Sequence, residues 1–248
     1  MLLEIDIGNT RIKWRVRQQS QIVAADNALT ALLLDEASFD EVFSEIDLSL
    51  IDKVYVASVV PRCHQFLSNW CMRWSIVPVF AITACYQAGL MNAYNDVSQM
   101  GVDRWLALLA AYERSKDPCL IVDAGSAVTI ELLCEGSHLG GYIVPGLNLM
   151  RNSLFSDTSQ VQVTNTRYPD KPCVGASTEE AVLSGLPLML LGLITLAADE
   201  LSTTGRKVKI FVTGGDGDYL ANLLAAYGFS SVEYISDLVL DGLRLSIE

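Results

Sequence analysis

Cys119-Leu-Ile-Val-Asp-Ala-Gly-Ser-Ala-Val-Thr-Ile-Glu-Leu-Leu133 stands at the middle of the chain. A short apolar run ends on Asp123, Gly125 and Ser126 follow, and a second β-prone run begins. The pattern is strand, tight turn, strand. Leu2-Leu-Glu-Ile-Asp-Ile-Gly-Asn-Thr-Arg-Ile-Lys-Trp-Arg-Val16 repeats it at the N-terminus, with Asp6 in the place of Asp123. Nearly half the chain separates the two aspartates, so the sequence reads as one architectural unit used twice.

Outward from these hairpins, Asp52–Val60 reads as a buried strand stopped by Pro61, and Arg62–Trp74 as a helix. A helix is expected within Ala31–Ile46, a short strand at Val77–Ile82, an irregular stretch at Gln87–Met100 and a helix over Trp105–Tyr112. In the second half a third strand is expected at His138–Val144, with a helix beginning around Pro145-Gly146. Thr158–Pro172 is polar and reads as a surface loop, followed by two long helical stretches. The strand Val208–Thr213, the turn Gly214-Gly215, a helix to Tyr227 and a last strand-helix pair complete the chain. Strands open each half and helices follow, which is an α/β pattern of two similar lobes. The lobes are expected at 1–116 and 117–248, each a mixed β-sheet flanked by helices.

The chain has 248 residues, 51% hydrophobic and 19% charged, enough to bury a core in each lobe. Its net charge of −12 gives no basic surplus to neutralise phosphates, so nucleic acid is not an expected partner. Six cysteines show no CxxC pair, so they read as mostly buried thiols in a reducing compartment. Glu4 and Asp6 break the early apolar run, so no signal peptide is expected. Ala181–Ala198 carries no charge and approaches the length of a membrane span. Pro187, Gly185 and Gly192 interrupt it and acidic pairs flank it, so it reads instead as a helix buried all round, in a core or subunit interface.

Two Asp-x-Gly turns, one per lobe, suit a nucleotide held in a cleft between the lobes. Glycine lets backbone N–H groups approach a phosphate that a Cβ would block. Asn9, Thr10 and Ser126 add donors, Asp6 and Asp123 suit a metal ion or its waters, and Lys13 is placed to reach the terminal phosphate. One such turn is unspecific; two in repeat register are not. Gly101-Val-Asp-Arg104 opens a helix. An acidic residue in a first turn is favoured by the macrodipole alone. The functional reading makes Asp103 a general base, with the Arg104 fork on an anionic substrate group. Thr213-Gly-Gly215 at a strand end is read as a nucleotide-side contact. His64 and His138 are isolated and read as structural or surface residues rather than metal ligands.

Asp6-Ile-Gly-Asn-Thr10, Gly101-Val-Asp-Arg104, Asp123-Ala-Gly-Ser-Ala127, Gly140-Gly-Tyr-Ile-Val-Pro-Gly146 and Thr213-Gly-Gly215 occur in the order and spacing of type III pantothenate kinases. The resemblance spans essentially the whole chain. It implies the fold of actin, sugar kinases and heat-shock ATPases, with the active site in the interlobe cleft. It also implies transfer of the ATP γ-phosphoryl group to pantothenate, the first step towards coenzyme A. The implied enzyme is a cytoplasmic homodimer that uses ATP with Mg²⁺ or another divalent cation and is stimulated by K⁺ or NH₄⁺. By the same resemblance Asp103 is the catalytic base, and Tyr94, Gly101, Asp103 and Arg104 hold pantothenate. Thr178 is offered by the neighbouring subunit, and Asp6, Gly8, Asn9, Thr10, Gly125 and Ser126 contact ATP. Asp123 is linked to the monovalent cation. Ser126 stands where the family usually has Thr, and Lys13 lies outside the general signature.

Two other readings share these residues. One is a two-lobed phosphotransferase or phosphatase acting on a sugar, an acid or polyphosphate. The other is a non-catalytic nucleotide-binding regulator, which is expected to have lost Asp103 or the phosphate turns; this chain keeps them all.

Overall fold

The computed structural model describes residues 1–156, 167–202 and 207–247. Two compact units divide the chain: Met1–Ala110 together with Leu238–Glu248, and Ala111–Asp237.

The first unit begins with β1 (Leu2–Ile7), β2 (Arg11–Gln18) and β3 (Gln21–Leu29), followed by the short helix α1 (Ser38–Val42) and by β4 (Lys53–Ser58). Next come α2 (Pro61–Arg73), β5 (Val79–Phe80), the antiparallel pair β6 (Tyr86–Gln87) and β7 (Leu90–Met91), and α3 (Val102–Arg114). The strand order is β3-β2-β1-β4-β5, with β2 and β3 antiparallel and β4 and β5 parallel. Pro61 opens α2 where its missing N–H costs nothing. Leu3, Ile5, Ile7 and Val56 pack with Phe39, Phe43 and Trp70 in the core, and the Phe43 and Trp70 rings stand 4.9 Å apart.

The second unit repeats the plan with β8 (Cys119–Ala124), β9 (Ala127–Cys134), β10 (Ser137–Pro145), α4 (Leu147–Ser156), α5 (Thr178–Ser202), β11 (Lys209–Thr213), α6 (Gly217–Ala226) and β12 (Val232–Tyr234). Its strands run β10-β9-β8-β11-β12, with β9 and β10 antiparallel and β11 and β12 parallel. The duplication read from Asp6 and Asp123 is therefore a duplication of strand order. Leu120, Val122, Ile130, Leu190, Ile194 and Val212 are among its core residues.

The last helix, α7 (Leu238–Ile247), belongs to the first unit, whereas the sequence division at 116 and 117 groups it with the second lobe. Its residue Gly242 sits against α3: a Cβ there would lie 1.9 Å from the Leu106 carbonyl oxygen. Asp241 pairs with the buried Arg15 at 2.8 Å, and Arg15 pairs in turn with Glu4.

Several expectations change in detail. β3 is absent from the sequence reading. The Ala31–Ile46 helix shrinks to the five residues of α1. The two helical stretches are one 25-residue helix, α5, which runs through Pro187. Proline there removes a single intrahelical hydrogen bond, and burial of the apolar side offsets it. That helix is half buried: Leu190 and Ile194 face the core, while Met189 and Leu196 are 61% and 69% exposed. Only Cys63, Cys71 and Cys119 are buried thiols; Cys85 and Cys173 are exposed. The surface loop expected at 158–172 falls outside the described residues over 158–166.

Candidate active site

Open α/β sheets bind ligands beyond the carboxyl ends of their parallel strands. In the first unit, Asp6 and Ile7 form that end of β1. The Gly8–Thr10 turn is pinned there at both sides. Gly8 N–H donates to the Arg11 carbonyl at 2.9 Å, the Thr30 hydroxyl donates to the Gly8 carbonyl at 2.7 Å, and Thr30 N–H donates to the Thr10 carbonyl at 3.0 Å. Asn9 and Thr10 are exposed. Asp6 and Lys13 are directly opposed in the β1–β2 register, so both side chains lie on one face of the sheet. Beyond β4, Val59 N–H donates to the Ile7 carbonyl at 3.2 Å, and its side chain lies 3.9 Å from where a Cβ on Gly101 would stand. The N-terminus of α3 therefore joins the same end of the sheet.

Asp103 occupies the first turn of α3, where the helix dipole favours its negative charge. Its Oδ1 accepts the Arg104 N–H at 2.8 Å and lies 2.6 Å from the Cβ position of Gly101, so a side chain at 101 would displace the carboxylate from this position. Arg104 is buried, and its Nη1 donates to the Tyr94 hydroxyl at 3.0 Å. Its guanidinium also stands 5.5 Å from the Tyr94 ring centre, within cation–π range. Behind this group Trp105 Nε1 donates to Gln87 Oε1 at 3.0 Å, and Gln87 Nε2 donates to the Ser246 carbonyl of α7 at 2.6 Å.

In the second unit three loops meet beyond the carboxyl ends of β8 and β11. Gly125 N–H donates to the Ala127 carbonyl at 3.0 Å, closing the β8–β9 turn. Gly146 N–H donates to the Ser126 carbonyl at 3.0 Å, and a Cβ on Gly146 would stand 2.3 Å from the Gly125 oxygen. Asp216 N–H donates to the Ala124 carbonyl at 2.9 Å. Gly214 has φ +91°, and a Cβ there would lie 2.5 Å from both Asp123 Oδ1 and the Ala124 oxygen. Glycine is required at Gly146 and Gly214 because backbone approaches backbone at those points.

Beside these loops opens a cavity of about 900 Å³, lined by Asn148, Arg151, Tyr168, Asp216, Tyr219 and Asn222. The Arg151 guanidinium stands 5.9 Å from the Tyr168 ring centre, and Tyr168 and Tyr219 are 5.8 Å apart. Burial raises the pKa of Asp216, with the Arg151 charge acting against it. Burial likewise pushes the Tyr219 hydroxyl up to about 12.

The structure thus groups Asp6, Gly8, Asn9, Thr10 and Lys13 at one strand end, and Tyr94 with Gly101, Asp103 and Arg104 on one helix start. Asp123, Gly125 and Ser126 form the corresponding turn of the second unit. Thr178 stands apart, exposed at the first residue of α5. Its neighbour Ser177 caps the helix by accepting Glu180 N–H at 3.2 Å, and Glu180 reaches back to Ala176 N–H at 2.8 Å. Asn92, Arg151, Tyr168 and Asp216 were not singled out from the sequence, because no local spacing marks them. His138 is a buried partner of Glu131 at 2.9 Å, as its structural reading required.

Among the described residues no three His, Cys, Asp or Glu side chains gather at metal-binding distance. The oxygens of Asp123 and Ala124 near Gly214 are of the kind hard cations take, and Asp6 adds a carboxylate at the end of β1. These residues suit cations that keep most of their shell as water and phosphate oxygens.

A duplicated mixed sheet with a glycine turn at each central strand end defines the actin, sugar kinase and heat-shock ATPase class. Two solved structures share this fold with a TM-score of 0.63. One is a protein from Campylobacter jejuni assigned to the Baf family of transcriptional activators, 23% identical, covering 99% of this chain and 96% of its own. The other is assigned as a 2-dehydro-3-deoxygalactonokinase from Sinorhizobium meliloti, 12% identical, covering 99% and 95%. Within that class the chain belongs to the type III pantothenate kinase family, whose model matches residues 2–200. The type III pantothenate kinase of Pseudomonas syringae pv. syringae is 36% identical over 99% of this chain and 98% of its own length. That of Cellvibrio japonicus is 34% identical over 99% and 96%.

Proposed function

We infer that this chain is a pantothenate kinase, transferring the γ-phosphoryl group of ATP to the primary hydroxyl of pantothenate in the first step of coenzyme A synthesis. The observation that carries this reading is the family relationship along the whole chain. The geometry of α3 supports the roles given to its residues. Asp103 orients the alcohol and accepts its proton as the oxygen–phosphorus bond forms and the bond to the ADP oxygen breaks. Arg104, steadied by Tyr94, pairs with the pantothenate carboxylate, and Gly101 leaves room for the substrate beside Asp103. Thr178 of a neighbouring subunit contacts the same substrate.

The ATP contacts are Gly8, Asn9, Thr10, Gly125 and Ser126, with the side chains of Asn9, Thr10 and Ser126 as donors to its phosphates. Lys13, opposite Asp6, adds a positive charge. The 900 Å³ cavity beside Gly214 suits the adenosine, with Tyr168 and Tyr219 as apolar faces. A divalent ion held by Asp6 and the phosphates would neutralise developing charge, and K⁺ or NH₄⁺ would sit by Asp123 and the Ala124 oxygen.

The working form is a homodimer in the cytoplasm. The exposed stripe Leu188, Met189 and Leu196 of α5, beside Leu149 and Leu154 of α4, is apolar surface that a second copy covers. Six free cysteines accord with a reducing compartment. Light scattering at working concentration should give twice the chain mass, and a monomer would contradict the dimer.

The test of the activity is ADP release from the purified protein with ATP and Mg²⁺, with and without pantothenate, in potassium or sodium alone. Release that requires pantothenate and is faster in potassium supports the reading. Release indifferent to pantothenate discards the acceptor.

A further inference from the structure

We propose that the side-chain amide of Asn92 is a positioning residue for the acceptor pocket, setting Tyr94 and, through it, Arg104. The inference rests on the reading above that Tyr94, Gly101, Asp103 and Arg104 hold pantothenate.

The stretch from Ala81 to Gly101 has little regular structure: two strands of two residues each and one three-residue helical turn. Ladder hydrogen bonds fix only the short strands β6 and β7, and side chains must hold the rest of its path. Asn92 is 9% exposed and joins three separate points of this stretch. Its Nδ2 donates to the Ala84 carbonyl at 3.2 Å and to Met100 Sδ at 3.4 Å, and its Oδ1 accepts the Tyr94 N–H at 2.9 Å. Its main-chain N–H donates to the Cys85 carbonyl at 2.9 Å, so the residue itself is held. Thr83 adds a second tie, its hydroxyl donating to the Met100 carbonyl at 3.0 Å.

Each tie bears on the pocket. Met100 precedes Gly101, which leaves space beside Asp103. The Tyr94 N–H fixes the backbone from which the ring reaches Arg104 at 3.0 Å. Only an amide serves here, because the site asks for two donors and one acceptor on a short side chain. A carboxylate keeps the acceptor for Tyr94 but turns lone pairs toward the Ala84 oxygen and Met100 sulfur. An alanine takes the side-chain partner from the part-buried Tyr94 N–H and Ala84 carbonyl. Asn92 reaches the pocket only through Tyr94 and Met100.

The experiment is steady-state kinetics of wild type, Asn92→Asp and Asn92→Ala, varying ATP and pantothenate separately, with circular dichroism to check the fold. The expected result is a rise of about tenfold or more in KM for pantothenate, with KM for ATP and kcat within about threefold of wild type. Asn92→Asp, which keeps the Tyr94 acceptor, should be the milder of the two. Pantothenate KM unchanged in both variants overturns the proposal, as does an equal loss toward both substrates. Failure of both variants to fold assigns Asn92 a purely structural role and also overturns it. A wild type indifferent to pantothenate removes the functional reading and this inference together. A pantothenate-dependent wild type matched by its variants removes only this inference.

Discussion

Arg104 Nη1 donates to the Tyr94 hydroxyl at 3.0 Å while its guanidinium rests against the same ring at 5.5 Å. The tyrosine thus holds the arginine by edge and face, and a planar fork is what both contacts use. Arg104→Lys keeps the charge but loses the paired geometry, so KM for pantothenate should rise roughly 10–100-fold. Tyr94→Phe keeps the ring and loses only the hydroxyl, so its effect should be smaller, roughly 2–10-fold. Initial-rate kinetics with pantothenate varied checks both, and equal effects of the two substitutions would contradict the arrangement.

Gly214 tests the second unit. With φ +91° and a Cβ position 2.5 Å from the Ala124 backbone, Gly214→Ala must move the β8 turn. The left-handed conformation alone costs about 1–2 kcal/mol, and the collision adds to it. Weaker ATP saturation and a lower unfolding temperature are expected. Gly215 has open space around its Cβ position, so Gly215→Ala should unfold close to the wild-type temperature. Calorimetry on the pair separates the close approach from a general intolerance of side chains in this loop.

The α7 helix is fastened to the first unit through Asp241, Arg15 and Glu4. Burial lowers the Arg15 pKa, but the bonds and charges of Glu4 and Asp241 outweigh it and the net direction is upward. The Glu4 carboxylate is fully buried and otherwise meets only the Arg17 Nε, at 3.4 Å, so removing Arg15 takes away its nearer partner. Arg15→Met should destabilise by about 3–5 kcal/mol, more than Asp241→Asn, whose side chain is 24% exposed. Gly242→Ala should destabilise as well, because its Cβ meets the Leu106 oxygen at 1.9 Å. Urea unfolding of the three variants gives the order.

The extent to which these features were legible differs by kind. Asp6 and Asp123 announce the duplicated strand order because their signal is local: an apolar run, a carboxylate, a glycine. β3 escaped because most of Gln21–Leu29 is exposed, which erases the alternation that marks a half-buried strand. α7 was assigned to the neighbouring lobe because chain order says nothing about which sheet a terminal helix packs against. The apolar sequence of α5 was read as burial in a core or a subunit interface; Leu190 and Ile194 face the core while Met189 and Leu196 face outward, a division its uniform apolarity does not show. Within the site, Gly101 through Arg104 were legible as a helix start. Asn92 was not, since its partners Ala84 and Met100 are eight residues away on either side and meet it only in the fold.

Asp216 supplies a pH signature. Burial raises its pKa in the folded state, with Arg151 opposing, so the folded protein holds this proton more tightly than the unfolded chain does. That contribution to stability is fully present below the unfolded carboxylate pKa and is lost as pH rises through the folded value. Asp216→Asn should therefore unfold at a higher temperature than wild type at neutral pH. The gap should close as pH falls below the ordinary carboxylate range. Paired thermal scans across that window check it, and a gap that widened toward acid would contradict the assignment.

The central claim is that Asp103 removes the proton from the pantothenate alcohol, and the most direct measurement is pantothenate-dependent ADP release by Asp103→Asn beside wild type. Nucleotide binding and circular dichroism would be measured on the same samples. The account predicts a folded variant that binds ATP with near-normal affinity and turns over about 10²–10⁴-fold more slowly. Near-normal turnover in that variant would contradict the account and take Asp103 out of the reaction.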